Sequence, residues 1–252
     1  GSLNGTLLGK SLQAKLTGSD LRSAMQSGIT DFTLTAVARG FTAHIASVIN
    51  AAKGEASLSF SLGAEHAGDV AVWLGLRNDA RAALALAGRV SASKDHWKLS
   101  DLVLQAGNSS VHADLERRQV KGKPFYSAAI DVAQLDAVEL DTLIVPSKST
   151  KSSSSSFNIP LLPRQLILDD ADIRVRVETI KTSSLAVTHL GFDAQLRNGY
   201  MPSSPFFAEL GNQRFDGAVM IDTRSSEPHA QLWLFTKNHR NVLIIITKLK
   251  KN

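Results

Sequence analysis

Apolar and polar residues alternate along most of this chain. In "ADIRVRVETI" (171–180), Ile173, Val175 and Val177 fall on one side, and Arg174, Arg176 and Glu178 on the other. Successive side chains of a strand point to opposite faces, so this pattern predicts a half-buried β-strand. "ASLSFSL" (56–62) sets Leu58, Phe60 and Leu62 against Ser57, Ser59 and Ser61. "DFTLTAVAR" (31–39) sets Phe32, Leu34, Ala36 and Ala38 against Thr33, Thr35, Val37 and Arg39. "ARAALALAGRV" (80–90) is rich in alanine, a helix former, but its period of two gathers Ala82, Leu84, Leu86 and Val90 and favours a strand. "LGFDAQLRNGY" (190–200) places Phe192, Ala194 and Leu196 together, and Asn198-Gly199 marks a turn. Helical signals are short. "TGSDLRSAMQSG" (17–28) has Ser19 or Asp20 as a cap and Gly28 as a stop, and "HAGDVAVWLGL" (66–76) holds a turn or two.

The longer-range pattern is a phrase written twice. From Asn108 to Leu140, Val111, Ala113 and Leu115 alternate with His112, Asp114 and Glu116. "RQVKGK" then turns, Pro124 restarts the chain, and Tyr126, Ala128, Ile130 and Val132 form the return face before a leucine-rich exit. From Asn212 to Phe235, Phe215, Gly217, Val219 and Ile221 alternate in the same way. "RSSE" turns, Pro228 restarts, and Ala230, Leu232 and Leu234 return. Proline lacks a donor for the ladder and belongs at a strand start, so both copies read as antiparallel hairpins. The expected fold is mainly β: antiparallel hairpin repeats forming a curved sheet, groove or sandwich, with one or two short helices.

"PSKSTKSSSSS" (146–156) interrupts this pattern. A serine tract buries too little surface to offset its ordering entropy, so a flexible loop is expected there. It separates an N-terminal β region, 1–145, from a C-terminal one, 157–252, as two domains or as one continuous β domain.

Composition narrows the function. The net charge of +5 comes from mixed acidic and basic residues, a mild attraction to anionic partners such as phospholipid headgroups. The one basic cluster, Lys248, Lys250 and Lys251, reads as a solvated tail, and aromatics at 6% are too sparse for a nucleic-acid stacking platform, so no nucleic acid is expected as a partner. Absence of cysteine removes disulfides, thiolate metal sites and cysteine nucleophiles. No run approaches the roughly 18 apolar residues of a membrane helix, and no signal-peptide pattern occurs. Gly1-Ser2 resembles a scar left by tag cleavage, which suggests an excerpt of a longer, membrane-anchored protein.

Catalytic and metal-binding patterns are weak. His112 and Asp114 form an H-x-D pair without a second pair, and Asp169, Asp170 and Asp172 lack the glycine bend and full ligand set of a calcium loop. Ser110 with His112, and Thr188 with His189, are adjacencies from which no triad follows. No phosphate loop, nucleophile elbow or HExxH occurs. Trp73, Trp97 and Trp233 read as core or rim residues, with a sugar platform as the functional reading. No enzyme activity, cofactor or metal is expected.

Taken in order, "QAGNSSVHADL" (105–115), "KGKPFYSAAIDVAQLDAVEL" (121–140), "LLPRQLILDDADIRVRVETI" (161–180) and "GNQRFDGAVMIDTRSSEPHAQLWL" (211–234) resemble the AsmA family over roughly residues 55–236. "LGNQRF" lacks that family's paired glycines, and "TKNHRNVLIIIT" departs from its usual exit. The resemblance implies a non-enzymatic periplasmic segment, anchored to the inner membrane by a segment absent from this chain. Its work would lie in envelope lipid homeostasis, phospholipid transport or outer-membrane assembly through an apolar β groove. Phospholipid or another envelope lipid would be the partner. Candidate lining residues are Val111, Ala113, Leu115, Ile173, Val175, Val177, Val219 and Ile221. An eight-residue strand, about 27 Å at ~3.4 Å per residue, supplies one dimension of such a lining. The same apolar faces would alternatively close on each other as a β-sandwich, giving a binding module for glycan or protein.

Overall fold

The computed structural model describes residues 1–7, 10–20, 22, 26–70, 81–143, 169–224, 229–236 and 242–248. Seven strands precede the first long hairpin: β1 Ser2–Leu7, β2 Lys10–Gly18, β3 Ile29–Ala38, β4 Phe41–Asn50, β5 Glu55–Ala64, β6 Leu84–Ala92 and β7 Trp97–Ala106. The hairpin is β8 Ser109–Val120 and β9 Lys123–Asp136, followed by helix α1, Ala137–Leu143. Then come β10 Asp170–Lys181, β11 Ala186–Leu196, β12 Tyr200–Leu210, β13 Gln213–Asp222, β14 His229–Thr236 and β15 Val242–Lys248.

All fifteen strands form one sheet in sequence order, curved and not closed. Neighbours are antiparallel except β9 and β10, which run parallel with Asp170 beside Phe125 and Lys181 beside Asp136. Parallel neighbours need a crossover, and the chain between α1 and β10 supplies it. The serine tract 146–156 belongs to that crossover and lies outside the described residues. So do Trp73, Pro228 and residues 21 and 23–25 of the helix expected in 17–28, where the described Arg22, Gln26 and Ser27 are helical. In "HAGDVAVWLGL" the described part is a single 3-10 turn, Ala67–Asp69.

The strands form where the period of two predicts them. "ARAALALAGRV" resolves as strand from Leu84 onward, despite its alanines. Both copies of the repeated phrase are antiparallel hairpins, β8–β9 and β13–β14. Lys121 and Gly122 turn the first with φ of 52° and 76°. Two consecutive positive φ values match the right-handed strand twist in a two-residue turn. Each strand packs on its sheet neighbours, and α1 against β10 is the one further element pair with substantial contact among the described residues. A sandwich needs a second layer, and among the described residues the sheet does not fold back to provide one.

Where something covers the sheet, it does so at one margin. Phe41, Ala64, Leu84 and Ala106 are buried there beneath Ala67 and Val70, with Leu140 of α1 packed against them. Asp136 caps α1 by accepting from the Glu139 N–H at 3.0 Å, and Ser109 Oγ accepts from the Asp136 N–H at 2.9 Å. Glu139 in turn accepts from the Asn108 N–H at 2.7 Å, which ties α1 to the β7–β8 turn. This is the capped margin. The β4–β5, β6–β7 and β8–β9 turns lie at the opposite, hairpin margin.

Candidate functional site: an apolar face along fifteen strands

Register decides which residues share a face, because directly opposed residues point to the same side. One row runs Leu16, Leu34, Ile45, Phe60, Gly88 across β2 to β6. A bulge passes it to Leu102 on β7, and it continues through Ala113, Ile130, Val175, Phe192, Phe206 and Gly217 to Leu234 on β14. A second row runs Ala14, Ala36, Ala43, Leu62, Leu86, Leu104, Val111, Val132, Val177 and Leu190. A third runs from Leu58 through Val90, Leu99, Leu115, Ala128, Ile173 and Ala194. The thirteen strands from β2 to β14, at ~4.8 Å spacing, make the first row about 58 Å long, perpendicular to the strands.

Val111, Ala113, Leu115, Ile173, Val175 and Val177 thus occupy three adjacent rows, joined through Val132, Ile130 and Ala128 of β9. Val219 and Ile221 share the face further along, packed beside Ala171, Ala194, Leu196 and Met201. The expected lining residues come together, but they are a sample of a longer strip. Phe192, Phe206 and Leu234, and the rows of β2 to β7, were missing from that list. Several of them had already shown the same alternation in "DFTLTAVAR" and "ASLSFSL".

Most of the strip is half-buried, while Val132, Val177 and Ala194 within it are buried. Ile45, Phe60, Leu86, Leu104, Val111, Ile130, Val175, Phe192 and Phe206 are all of intermediate exposure. Leu16 remains 52% exposed and Leu3 66%. The chain exposes 16892 Å², whereas a compact monomer of this mass exposes about 11,000 Å². Soluble monomers rarely show continuous apolar patches beyond a few hundred Å².

The opposite face is polar and satisfied within itself. Arg176 pairs with Asp193. His189 lies between Glu209 at 2.8 Å and Glu178 at 3.8 Å, Arg197 pairs with Asp172 at 2.6 Å, and Arg89 with Asp101 at 3.6 Å. A shallow cleft of about 670 Å³ on this face lies over Asp114, Glu116, Ser127, Asp172, Arg174 and Asp193. Asp114 accepts from the Asp101 N–H at 3.1 Å, locking a bulge, and Asp170 accepts from the Asn198 N–H at 2.6 Å, locking the β11–β12 turn. The H-x-D pair and the "LDDAD" carboxylates therefore sit among strand and turn contacts. Among the described residues, no group of three or more His, Asp or Glu is arranged to hold a metal ion. Among them too, no helix is long and apolar enough to cross a membrane. Trp233 lies on the polar face beside Ala218, and Trp97 on the apolar face beside Arg117.

No protein-family model, curated protein or solved structure matches this chain.

Proposed function

We propose that this chain is a lipid-carrying segment whose apolar strip holds acyl chains, without enzymatic chemistry. The observation that carries the reading is the apolar row from Leu16 to Leu234, on a sheet over which no second layer packs among the described residues. An acyl chain of about 16 carbons loses roughly 13 kcal/mol in water at ~0.8 kcal/mol per methylene. A wall of aliphatic and phenyl side chains offsets that loss and needs no reactive group. A strip much longer than one lipid suits several chains side by side, or passage along it.

The resemblance to the AsmA family supports the same reading, with its order of hairpin, interruption and hairpin. On that reading the segment works in the periplasm of a cell envelope, held at the inner membrane by another part of a longer protein. It serves phospholipid transport or outer-membrane assembly. The test is native mass spectrometry after purification without detergent, paired with protection of a fluorescent acyl lipid from quenching. Co-purified lipid and protection are expected. A protein free of lipid that protects no probe would end this reading.

A further inference from the structure

The apolar strip has two unlike margins. At the capped margin the 3-10 turn and α1 close over Phe41, Leu84 and Ala106, and charges of both signs lie nearby: Glu65, Asp69, Asp136, Glu139 and Asp141 with Arg39, Arg81 and Lys181. At the hairpin margin the apolar face ends in a different row. Trp97 lies opposite Arg117, Arg117 opposite Tyr126, and Tyr126 opposite Ala171, which leads to Leu196. A guanidinium thus stands on the apolar side of the sheet between an indole and a phenol.

Arg117 is half-buried and has no hydrogen-bond or ion-pair partner among the described residues. Arg176, Arg197, Arg214 and Arg224 each pair with a carboxylate, and Arg39, Arg81 and Arg174, which make no such pair, are exposed to solvent where Arg117 is half-buried. The neighbouring margin adds cations. Lys121 is exposed at the hairpin tip, Lys123 donates to Asn198 Oδ1 at 3.0 Å, and the Arg118 guanidinium lies 5.0 Å from the Phe125 ring centroid. Of the carboxylates near it, Glu116 contacts His96 at 3.0 Å on the opposite face, Asp170 and Asp172 are engaged by Asn198 and Arg197, and Asp95 and Asp169 remain, with Glu55 further along the same margin.

We infer that this margin binds the phosphate of a lipid headgroup, with Arg117 as its donor and Lys121 as a second cation. The inference rests on the lipid-carrying reading and adds the residues that hold the headgroup and the lipid's orientation. Arginine presents a planar fork matched to phosphate oxygens. Tryptophan and tyrosine favour the level where an apolar phase meets a polar one. The run from Arg117 to Val111 spans about 20 Å at ~3.4 Å per residue. One leaflet's acyl region is about 15 Å, half of a ~30 Å hydrocarbon core. A lipid with its phosphate at Arg117 therefore lays its tails along β8 and β9 toward the capped margin.

The experiment compares binding of two probes with the same fluorescent acyl chain, a phosphatidylglycerol and a diacylglycerol, to wild type, Arg117→Gln and Arg117→Lys. Inorganic phosphate serves as competitor. Wild type should prefer the phosphate-bearing probe. Arg117→Gln should weaken it about tenfold, the scale of one charge-assisted hydrogen bond, and Arg117→Lys should recover part of that. Diacylglycerol binding should be unchanged in all three, which also reports an intact fold. Equal binding of both probes by wild type and Arg117→Gln would overturn the headgroup assignment and leave the apolar strip standing. Displacement of the phosphatidylglycerol probe by millimolar inorganic phosphate would show a free-phosphate site instead. Failure of wild type to bind either probe would remove both readings.

Discussion

The phenyl ring of Phe206 lies directly over Gly217 on the neighbouring strand, where a Cβ would collide with the ring and stand 2.6 Å from the Trp233 carbonyl oxygen. A ring laid over a bare glycine fills the gap left by the absent side chain and lets the two strands coil closely. Phe60 treats Gly88 in the same way at a bulge further along the apolar row. Such pairs bend a single-layer sheet without a second layer to shape it.

Gly217→Ala should therefore destabilise the fold by about 1–3 kcal/mol, the usual range for overpacking. Phe206→Ala in the same chain should recover part of that loss. Urea unfolding of the two single variants and the double variant measures the coupling, and simple additivity would contradict the ring-on-glycine contact.

Openness of the apolar strip has an energetic signature. Val70, fully buried beneath the capped margin, should cost several kcal/mol when changed to asparagine, because an unpaired amide is then sealed from water. Ile45→Gln in the middle of the strip should cost only about 1 kcal/mol, since its amide reaches solvent. Similar losses at the two positions, read by denaturant unfolding, would indicate a covered interior.

Asp222 and Arg224 make a local pH-sensitive lock. Arg224 donates to Asp222 through its side chain at 3.0 and 2.7 Å and its backbone N–H at 3.0 Å, while stacking 4.1 Å from the Tyr200 ring centroid. The side-chain bond from Arg224, then its backbone N–H, lowers the Asp222 carboxyl from 3.8 to about 2. A depressed folded value means the stabilisation is present above pH 3.8 and is lost as pH falls through about 2. Carboxyl NMR titration should show that value in wild type and a rise toward 3.8 in Arg224→Gln.

Glu139 occupies the space above Gly107, where an added Cβ would overlap its carboxylate. Gly107→Ala should displace Glu139 from the Asn108 N–H and loosen α1. Amide exchange should then accelerate across Ala137–Leu143 while β8 and β9 stay protected.

The strands were legible because alternation is a local signal. Ile173, Val175 and Val177 reveal their face within ten residues, as do Leu58, Phe60 and Leu62. The parallel pairing of β9 with β10 was not legible, because the serine tract between them carries no register information. Helix α1 was hidden by its length: one cap, Asp136, and two turns leave no periodicity to detect. The continuous rows depend on bulges near Gly88 and between Leu99 and Leu102, and a period of two cannot anticipate these. Arg117 escaped notice for a related reason. In "DLERRQV" it looks like one charge among several, and only its register beside Trp97 and Tyr126 places it on the apolar side.

The most direct test of the account compares two neighbouring positions on one strand. A photoreactive amino acid at Ile130 reports the apolar face, and one at Asp131 the polar face, in protein mixed with phospholipid vesicles. Lipid adducts should form at Ile130 and be nearly absent at Asp131. Equal labelling at the two positions, or none at Ile130, would contradict an apolar strip that holds lipid.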